Sequence, residues 1–308
     1  MKFKHNYKFS VTLLVLMQLS AFVLKAKEVA RIPFESRNGT IILTVKLNDF
    51  QRPLKLLFDT GADGMAVGQG LADSIGLKVT RTQKASVVGG SVDITVSSGN
   101  TVHMGDFDFK NQSIAIFKEM HKEGTDGIIG NTLARHYIVK VDYDRKELLL
   151  YNFGEFEEKG GTAIPFSILS GLFIIPGTLS ITADKPHTGN FVFDTGAAYN
   201  LICFRPFVKQ HKLLVSGFKA DSHGSTLSMG MNTPTFAGKA SAFSFSTVKP
   251  IKNMSVTLMA GGGQSESWNP GFDGSIGVGL ISRYNFTINM QKKEIYIIPN
   301  QNYNHESI

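Results

Sequence analysis

The tetrapeptide Asp-Thr-Gly-Ala occurs twice in this chain of 308 residues, at Asp59–Ala62 and at Asp194–Ala197. Each copy follows an apolar run, Leu56-Leu57-Phe58 or Phe191-Val192-Phe193. The copies belong to a longer repeat. Ile32-Pro33-Phe34 precedes the first and Ile164-Pro165-Phe166 the second, while Asp126-Gly127-Ile128-Ile129-Gly130 follows the first and Asp273-Gly274-Ser275-Ile276-Gly277 the second. Beyond the final glycines the halves align without a gap: Leu133 with Leu280, Tyr137 with Tyr284, Lys146-Glu147 with Lys293-Glu294. Two copies of one unit constrain the chain to two similar halves. A carboxylate closing a buried strand in each half brings two such groups to one place. The Asp194–Asp273 interval is longer than Asp59–Asp126, and the loop Gly261–Ser267 is expected to hold part of the excess.

The local signal is mostly strand. Thr40–Leu47 is β-rich and leads into a turn at Asn48-Asp49, from which Leu54–Phe58 returns toward Asp59. Ser86–Val96 reads as two strands around a Gly89-Gly90 turn. Helical pattern is confined to short pieces, Gly70–Gly76 with a C-terminal glycine and Asn131–Tyr137. These segments predict an all-β chain of two pseudo-symmetric lobes. Residues 1–26 are read as a signal peptide, 27–153 as the first lobe, 154–161 as a soluble linker, 162–300 as the second lobe and 301–308 as a tail.

The signal-peptide reading rests on Lys2, Lys4 and Lys8 ahead of an interrupted apolar stretch, Phe9–Leu24, too short to span a bilayer comfortably. It implies export to the periplasm or the medium, with no stable membrane insertion after cleavage. Loss of Lys2, Lys4, Lys8 and Lys25 lowers the formal charge from +7 to +3, so the basic character is a poor argument for nucleic-acid binding, and none is expected. Cys203 is the only cysteine and lies in the apolar run Leu201–Phe204, which predicts a small buried hydrophobe and a fold held by its core. His103, His121, His136 and His223 are scattered without metal-ligand spacing, and the glycines at 261–263 and 274–279 lack a following Lys-Ser/Thr. No metal and no cofactor are expected. Trp268 is read as packing in a loop or at a groove rim.

Leu57–Asp63 with Asp126–Gly130, and their repeat at 193–197 with 273–277, resemble the paired motifs of retroviral-type aspartic proteases. The resemblance covers essentially the whole chain after residue 26 and implies tandem retropepsin-like units in one chain, a bilobal fold of closed, double-psi β-barrel lobes related to the pepsins. It implies an aspartic endopeptidase acting on polypeptides and active as a monomer. Asp59 and Asp194 would form a catalytic dyad sharing one proton, since like charges this close cannot both ionise. By the same resemblance Thr60 and Thr195 would hydrogen-bond across the lobe interface. Gly61 and Gly196 would allow the tight backbone that turns their N–H groups to the carboxylates. Val88, Gly89 and Gly90 would sit in a flap closing over substrate, with 223–230 as the counterpart, and Asp63 would bind the substrate backbone, its counterpart being Ala198.

There are departures. The retroviral pattern has Arg after the final glycine, where this chain has Asn131 and Val278, so the buttressing ion pair is absent or rebuilt. Ser275 replaces an aliphatic residue. Ala62 and Ala197 stand where pepsin-like chains often carry a hydroxyl that donates to the aspartate; the missing donors predict activity reaching from mildly acidic toward neutral pH. For one Asp-Thr-Gly-Ala alone, a strand-ending turn is an equal reading; two copies, each with its Asp-Gly partner, leave little room for it. The competing functional reading is a catalytically inactive aspartic-protease-like peptide-binding protein, against which stands the presence of both aspartates.

Overall fold

The computed structural model describes residues 27–120, 124–261 and 267–304. The segment read as a signal peptide, most of the loop 261–267 and residues 305–308 lie outside the described residues. Among the described residues no helix is long and apolar enough to cross a membrane.

The first half comprises β1 (Glu28–Arg37), β2 (Thr40–Leu47), β3 (Leu54–Phe58), β4 (Met65–Gly68), α1 (Gln69–Ile75), β5 (Val79–Val87), β6 (Gly90–Met104), β7 (Phe107–Phe117), β8 (Gly127–Ile129), α2 (Thr132–His136), β9 (Ile138–Asp142) and β10 (Glu147–Tyr151). The second half repeats them in order. It comprises β11 (Thr162–Pro165), β12 (Ser167–Leu169), β13 (Leu172–Ser180), β14 (Pro186–Phe193), β15 (Leu201–Cys203), α3 (Arg205–Gln210), β16 (Ala220–Ser228), β17 (Met231–Phe245), β18 (Ile251–Met259), β19 (Gly274–Ile276), α4 (Val278–Ile281), β20 (Tyr284–Asn289) and β21 (Glu294–Pro299). The added length of the second half falls in the segment around α3 as well as in the loop between β18 and β19. The chain is a bilobal all-β fold.

Each lobe is a sheet curled on itself. In the first, the order β1-β2-β3-β8-β4-β7-β6-β5 is closed by β2 pairing with β6; in the second, β12-β13-β14-β19-β15-β18-β17-β16 is closed by β13 pairing with β17. The third component is a shared antiparallel sheet, β11-β21-β20-β9-β10-β1, to which each half contributes three strands. Its centre is the β9–β20 pair, with Val139 opposite Ile288 and Val141 opposite Phe286. Strand β1 serves two sheets: Glu28–Pro33 pairs with β10 and Phe34–Arg37 with β2. At the transition the Phe34 N–H donates to Lys146 O at 2.9 Å, and Phe166 N–H donates to Lys293 O at 3.0 Å in the second half. The repeated Ile-Pro-Phe is therefore the point where each chain half passes from the shared sheet into its lobe. Proline suits it, because a strand changing partners leaves a position where no ladder N–H is required.

One apolar core runs through both halves, from Ile32 and Leu43 to Phe286 and Ile297. Phe34, Tyr143, Phe286 and Phe193 form an edge-on and tilted aromatic chain across the junction, with successive centroids 5.7, 6.3 and 5.2 Å apart. The segment 154–161 is mostly exposed, as its glutamates suggest, yet it is anchored to the sheet. Phe156 stacks on Tyr151 at 4.2 Å, and the carboxylate of Glu158 accepts from Lys140 Nζ at 3.0 Å and from the Thr287 hydroxyl. It is docked across the shared sheet because it carries one aromatic ring and two acids that find partners there, Glu157 accepting from Lys292 Nζ at 3.1 Å. Cys203 is fully buried, and burial pushes its thiol above the ordinary range, as a packing residue requires.

Candidate active site

Two equivalent loops meet on the pseudo-two-fold axis. In each, a short strand from the Asp-Gly motif is inserted between the strand entering the loop and the strand leaving it. Strand β8 lies parallel to β3 and antiparallel to β4, and β19 relates to β14 and β15 in the same way. Asp126 accepts the Lys55 N–H at 2.8 Å and Asp273 accepts the Asn190 N–H at 2.7 Å, each pinning the inserted strand to its neighbour. Asp59 N–H donates to Ile129 O at 3.0 Å and Asp194 N–H to Ile276 O at 2.9 Å. Each aspartate thus leaves its sheet with its backbone anchored and its side chain turned toward the opposite loop.

The N–H groups of Gly61 and Gly196 donate to Oδ1 of Asp59 and Asp194 respectively, both at 2.9 Å. Neither glycine has a positive φ. The reason for glycine is room for the opposite lobe. A Cβ on Gly61 would lie 2.5 Å from Cγ of Asp194, and one on Gly196 2.1 Å from Cγ of Asp59. Between the loops the threonines are interlocked and fully buried. Thr60 N–H donates to Thr195 Oγ1 and Thr195 N–H to Thr60 Oγ1, both at 3.0 Å. The hydroxyls continue to the opposite strands, Thr195 to Phe58 O at 2.7 Å and Thr60 to Phe193 O.

The half-sites differ in two ways whose partners the sequence left open. The ion pair absent after the Ile-Ile-Gly motif is rebuilt one helical turn later: Arg135 on α2 pairs with the Asp63 carboxylate and donates to its carbonyl at 2.8 Å. Asn131 itself is buried and donates to Thr60 O at 3.0 Å and to Gly171 O of the second half at 2.9 Å, a further tie between lobes. Asp63 lines the groove with its side chain 56% exposed, but its charge is already met by Arg135. Its counterpart is not Ala198 alone. Gly130 N–H bonds Gly64 O and Gly277 N–H bonds Asn200 O, so the second loop has one residue more, and Ala198-Tyr199 together replace Asp63.

The second difference concerns the carboxylates. The hydroxyl lacking at Ala197 is supplied from below, since buried Ser275 donates to Asp194 Oδ2 at 2.8 Å. Asp194 therefore has a hydroxyl donor, where Ala62 and Ala197 predict that both aspartates lack one. The Tyr199 phenol is hydrogen-bonded to Ser275 in turn. Burial first, and then the Asp194 carboxylate, hold that phenol well above its usual range; its bond with Ser275 pulls the other way and is outweighed. Tyr199 therefore stays protonated. Register alone could have flagged Ser275, which faces the loop at the position of Ile128. The Tyr199 contact depends on the extra loop residue.

Above the aspartates is a groove of about 1170 Å³ containing Asp59 and Asp194 in its floor. Two hairpins overhang it. The tip of the first is Val88-Gly89, one residue earlier than the Gly-Gly turn expected, with Gly89 at φ +96° and Gly90 already in strand β6. The second tip is Met229-Gly230. The tips are crossed. Val88 packs among Tyr199, Phe204, Trp268 and Phe272 of the second lobe, while Met229 packs among the cluster of Ile42, Leu57 and Ile128 in the first. They touch as well, since a Cβ on Gly90 would lie 2.7 Å from Met231 Cε. Trp268 sits in the groove wall, edge-on to Phe204 at 5.0 Å.

Residues 43–133 match the family model described as aspartyl protease. Among solved structures, the aspartic proteinase from Irpex lacteus has the same fold, with a TM-score of 0.57 at 13% sequence identity over 91% of this chain and 99% of that one. No curated protein matches the chain in sequence. Residues 43–133 are thus similar in sequence to aspartyl proteases, and the fold of the chain as a whole is that of a pepsin-like aspartic proteinase. Both copies of the Asp-Thr-Gly-Ala unit lie in tandem in this one chain.

Proposed function

We propose that the protein is an endopeptidase that hydrolyses peptide bonds with a water activated between Asp59 and Asp194. The observation that carries this is reciprocal: each loop's glycine is cut away to admit the other loop's carboxyl. Two carboxyls that close hold one proton between them. The ionised partner removes a proton from water, whose oxygen attacks the peptide carbon, while the protonated partner gives its proton to the carbonyl oxygen. The tetrahedral diol then collapses. The C–N bond breaks, the nitrogen takes the proton first removed from water, and one hydroxyl returns its proton to the other carboxylate. The Gly61 and Gly196 N–H groups and the threonine lock hold both carboxyls still through this exchange.

The substrate is an extended polypeptide. The groove lies between two strand hairpins whose tips shield it from water, and its walls mix polar groups with apolar ones, the latter including Met65, Ile94 and Phe117 on one side and Leu172, Trp268 and Phe272 on the other. We also propose that the chain acts as a monomer after export, on the strength of both half-sites in one chain and of the lysine-led apolar stretch before residue 26. The purified protein is expected to cleave a denatured protein, to be blocked by a statine-type inhibitor, and to lose cleavage while staying folded in Asp59→Asn and Asp194→Asn. Peptide binding without cleavage by the unaltered protein would support the peptide-binding reading instead.

A further inference from the structure

The two aspartates do not stand in the same surroundings, although their loops are copies. Asp194 receives the Gly196 N–H and the Ser275 hydroxyl, and Ser275 is joined to Tyr199. At the equivalent place under Asp59 the strand presents Ile128, whose side chain has no hydrogen to give, and the loop is one residue shorter where Tyr199 would enter. We propose that the Tyr199–Ser275 hydroxyl pair makes Asp194 the ionised, water-deprotonating member of the dyad and leaves the shared proton on Asp59. This rests on the dyad reading above.

The argument is one of direction. Ser275 donates to Asp194 Oδ2 at 2.8 Å, and the Tyr199 phenol is joined to the same serine, so two hydroxyls are grouped beneath this carboxylate. A hydrogen bond donated to a carboxylate stabilises its charged form, and hydroxyls in series polarise one another. Ser275 is almost fully buried in strand β19, so its hydroxyl is held by packing and competes little with water. Asp59, from the opposite loop, and Tyr199, from its own, also face this carboxylate. Farther along the groove wall are Lys84, Glu119 and Asp63, the last paired with Arg135. Ser275 and Tyr199 are positioning residues: they act on the reaction through Asp194.

The test is the pH dependence of kcat/KM on a peptide cleaved by the unaltered protein, for Ser275→Ala, Ser275→Thr and Tyr199→Phe, with the melting temperature of each. The acid limb reports formation of the singly ionised dyad in the free enzyme. Loss of the donor in Ser275→Ala is expected to move that limb upward by about one pH unit, from the usual worth of a hydrogen bond to a charged group. Tyr199→Phe is expected to move it the same way by less, and Ser275→Thr, which keeps a hydroxyl, to leave it near its original place. A Ser275→Ala protein whose rate falls equally at all pH values, with the limb unmoved, overturns the proposal and marks Ser275 as packing only. If Ser275→Ala does not fold, Tyr199→Phe gives the same readout, because it removes one oxygen from a loop and leaves the strand untouched. An unaltered protein that cleaves, loses cleavage in Asp59→Asn and Asp194→Asn, yet shows no limb shift in either variant overturns this inference alone. Cleavage that survives both asparagine variants overturns the dyad reading and this inference with it.

Discussion

Thr60→Val removes one oxygen from the junction of the two lobes and leaves the shape of the side chain almost unchanged. In the native structure that oxygen accepts the Thr195 N–H at 3.0 Å and donates to Phe193 O. Thr60 and Thr195 are fully buried and Phe193 nearly so, hence water cannot replace the lost partner. An unsatisfied buried polar group costs about 1–3 kcal/mol, so the two stranded groups together cost roughly 2–6 kcal/mol. At this chain size about 2 °C is lost per kcal/mol, giving a melting temperature lower by roughly 4–12 °C. Thr60→Ser keeps the hydroxyl and deletes one buried methyl, for about 1 kcal/mol. Thr195→Val strands the Thr60 N–H and Phe58 O and is expected to match Thr60→Val. The double variant is expected to cost less than the sum, because a junction already loosened has less left to lose. Calorimetric melting of the four proteins, with peptide cleavage measured alongside, decides the matter. If Thr60→Val melts with the unaltered protein while Thr60→Ser does not, the hydroxyl network is not what holds the lobes, and the reasoning fails.

Three further outcomes are expected. Gly196→Ala places a Cβ 2.1 Å from the Asp59 carboxyl, so activity should fall by about 100-fold or more with far-ultraviolet circular dichroism unchanged; an active alanine variant would show that the carboxyls are not set by this approach. The isolated first half, residues 27–153, exposes the β9 edge that pairs with β20, so it should be inactive as a monomer, and any activity in sedimentation-resolved fractions should belong to a dimer. His211 is held below its ordinary value by burial and by the facing ring of His187 at 4.5 Å, with Asp273 opposing. The unfolded chain then takes up that proton more readily than the folded one. The stability contributed is present above the ordinary histidine value and lost as pH falls through it, so the melting temperature should drop between pH 7 and pH 5.5, and by less in His211→Gln.

The asymmetry of the half-sites follows from duplication. Both copies keep the elements that a symmetric junction needs from each side: aspartate, threonine, glycine and the inserted strand. Away from the axis each copy meets different neighbours. Arg135 with Asp63 occurs on one side, and Tyr199 with Ser275 on the other. A retropepsin-like unit that pairs with an identical partner could not acquire such a difference, whereas one chain can.

Much of this was legible in the residues because it is local or repeated. The strand Thr40–Leu47, the return Leu54–Phe58 and the α1 stop at Gly76 follow from β-propensity, turn chemistry and a left-handed glycine at φ +76°. The duplication itself, with an aspartate after each buried strand, constrains the architecture to two like lobes. What the sequence could not determine depends on where separate segments meet. The docking of Phe156 and Glu158 on the shared sheet, the ion pair displaced by one helical turn to Arg135, the crossing of the hairpin tips and the approach of Ser275 to Asp194 all join residues distant in the chain. Even the reason for Gly61 and Gly196 was of this kind. Each is read locally as backbone freedom, and only the tertiary structure shows that the space a side chain would fill belongs to the carboxyl of the other lobe.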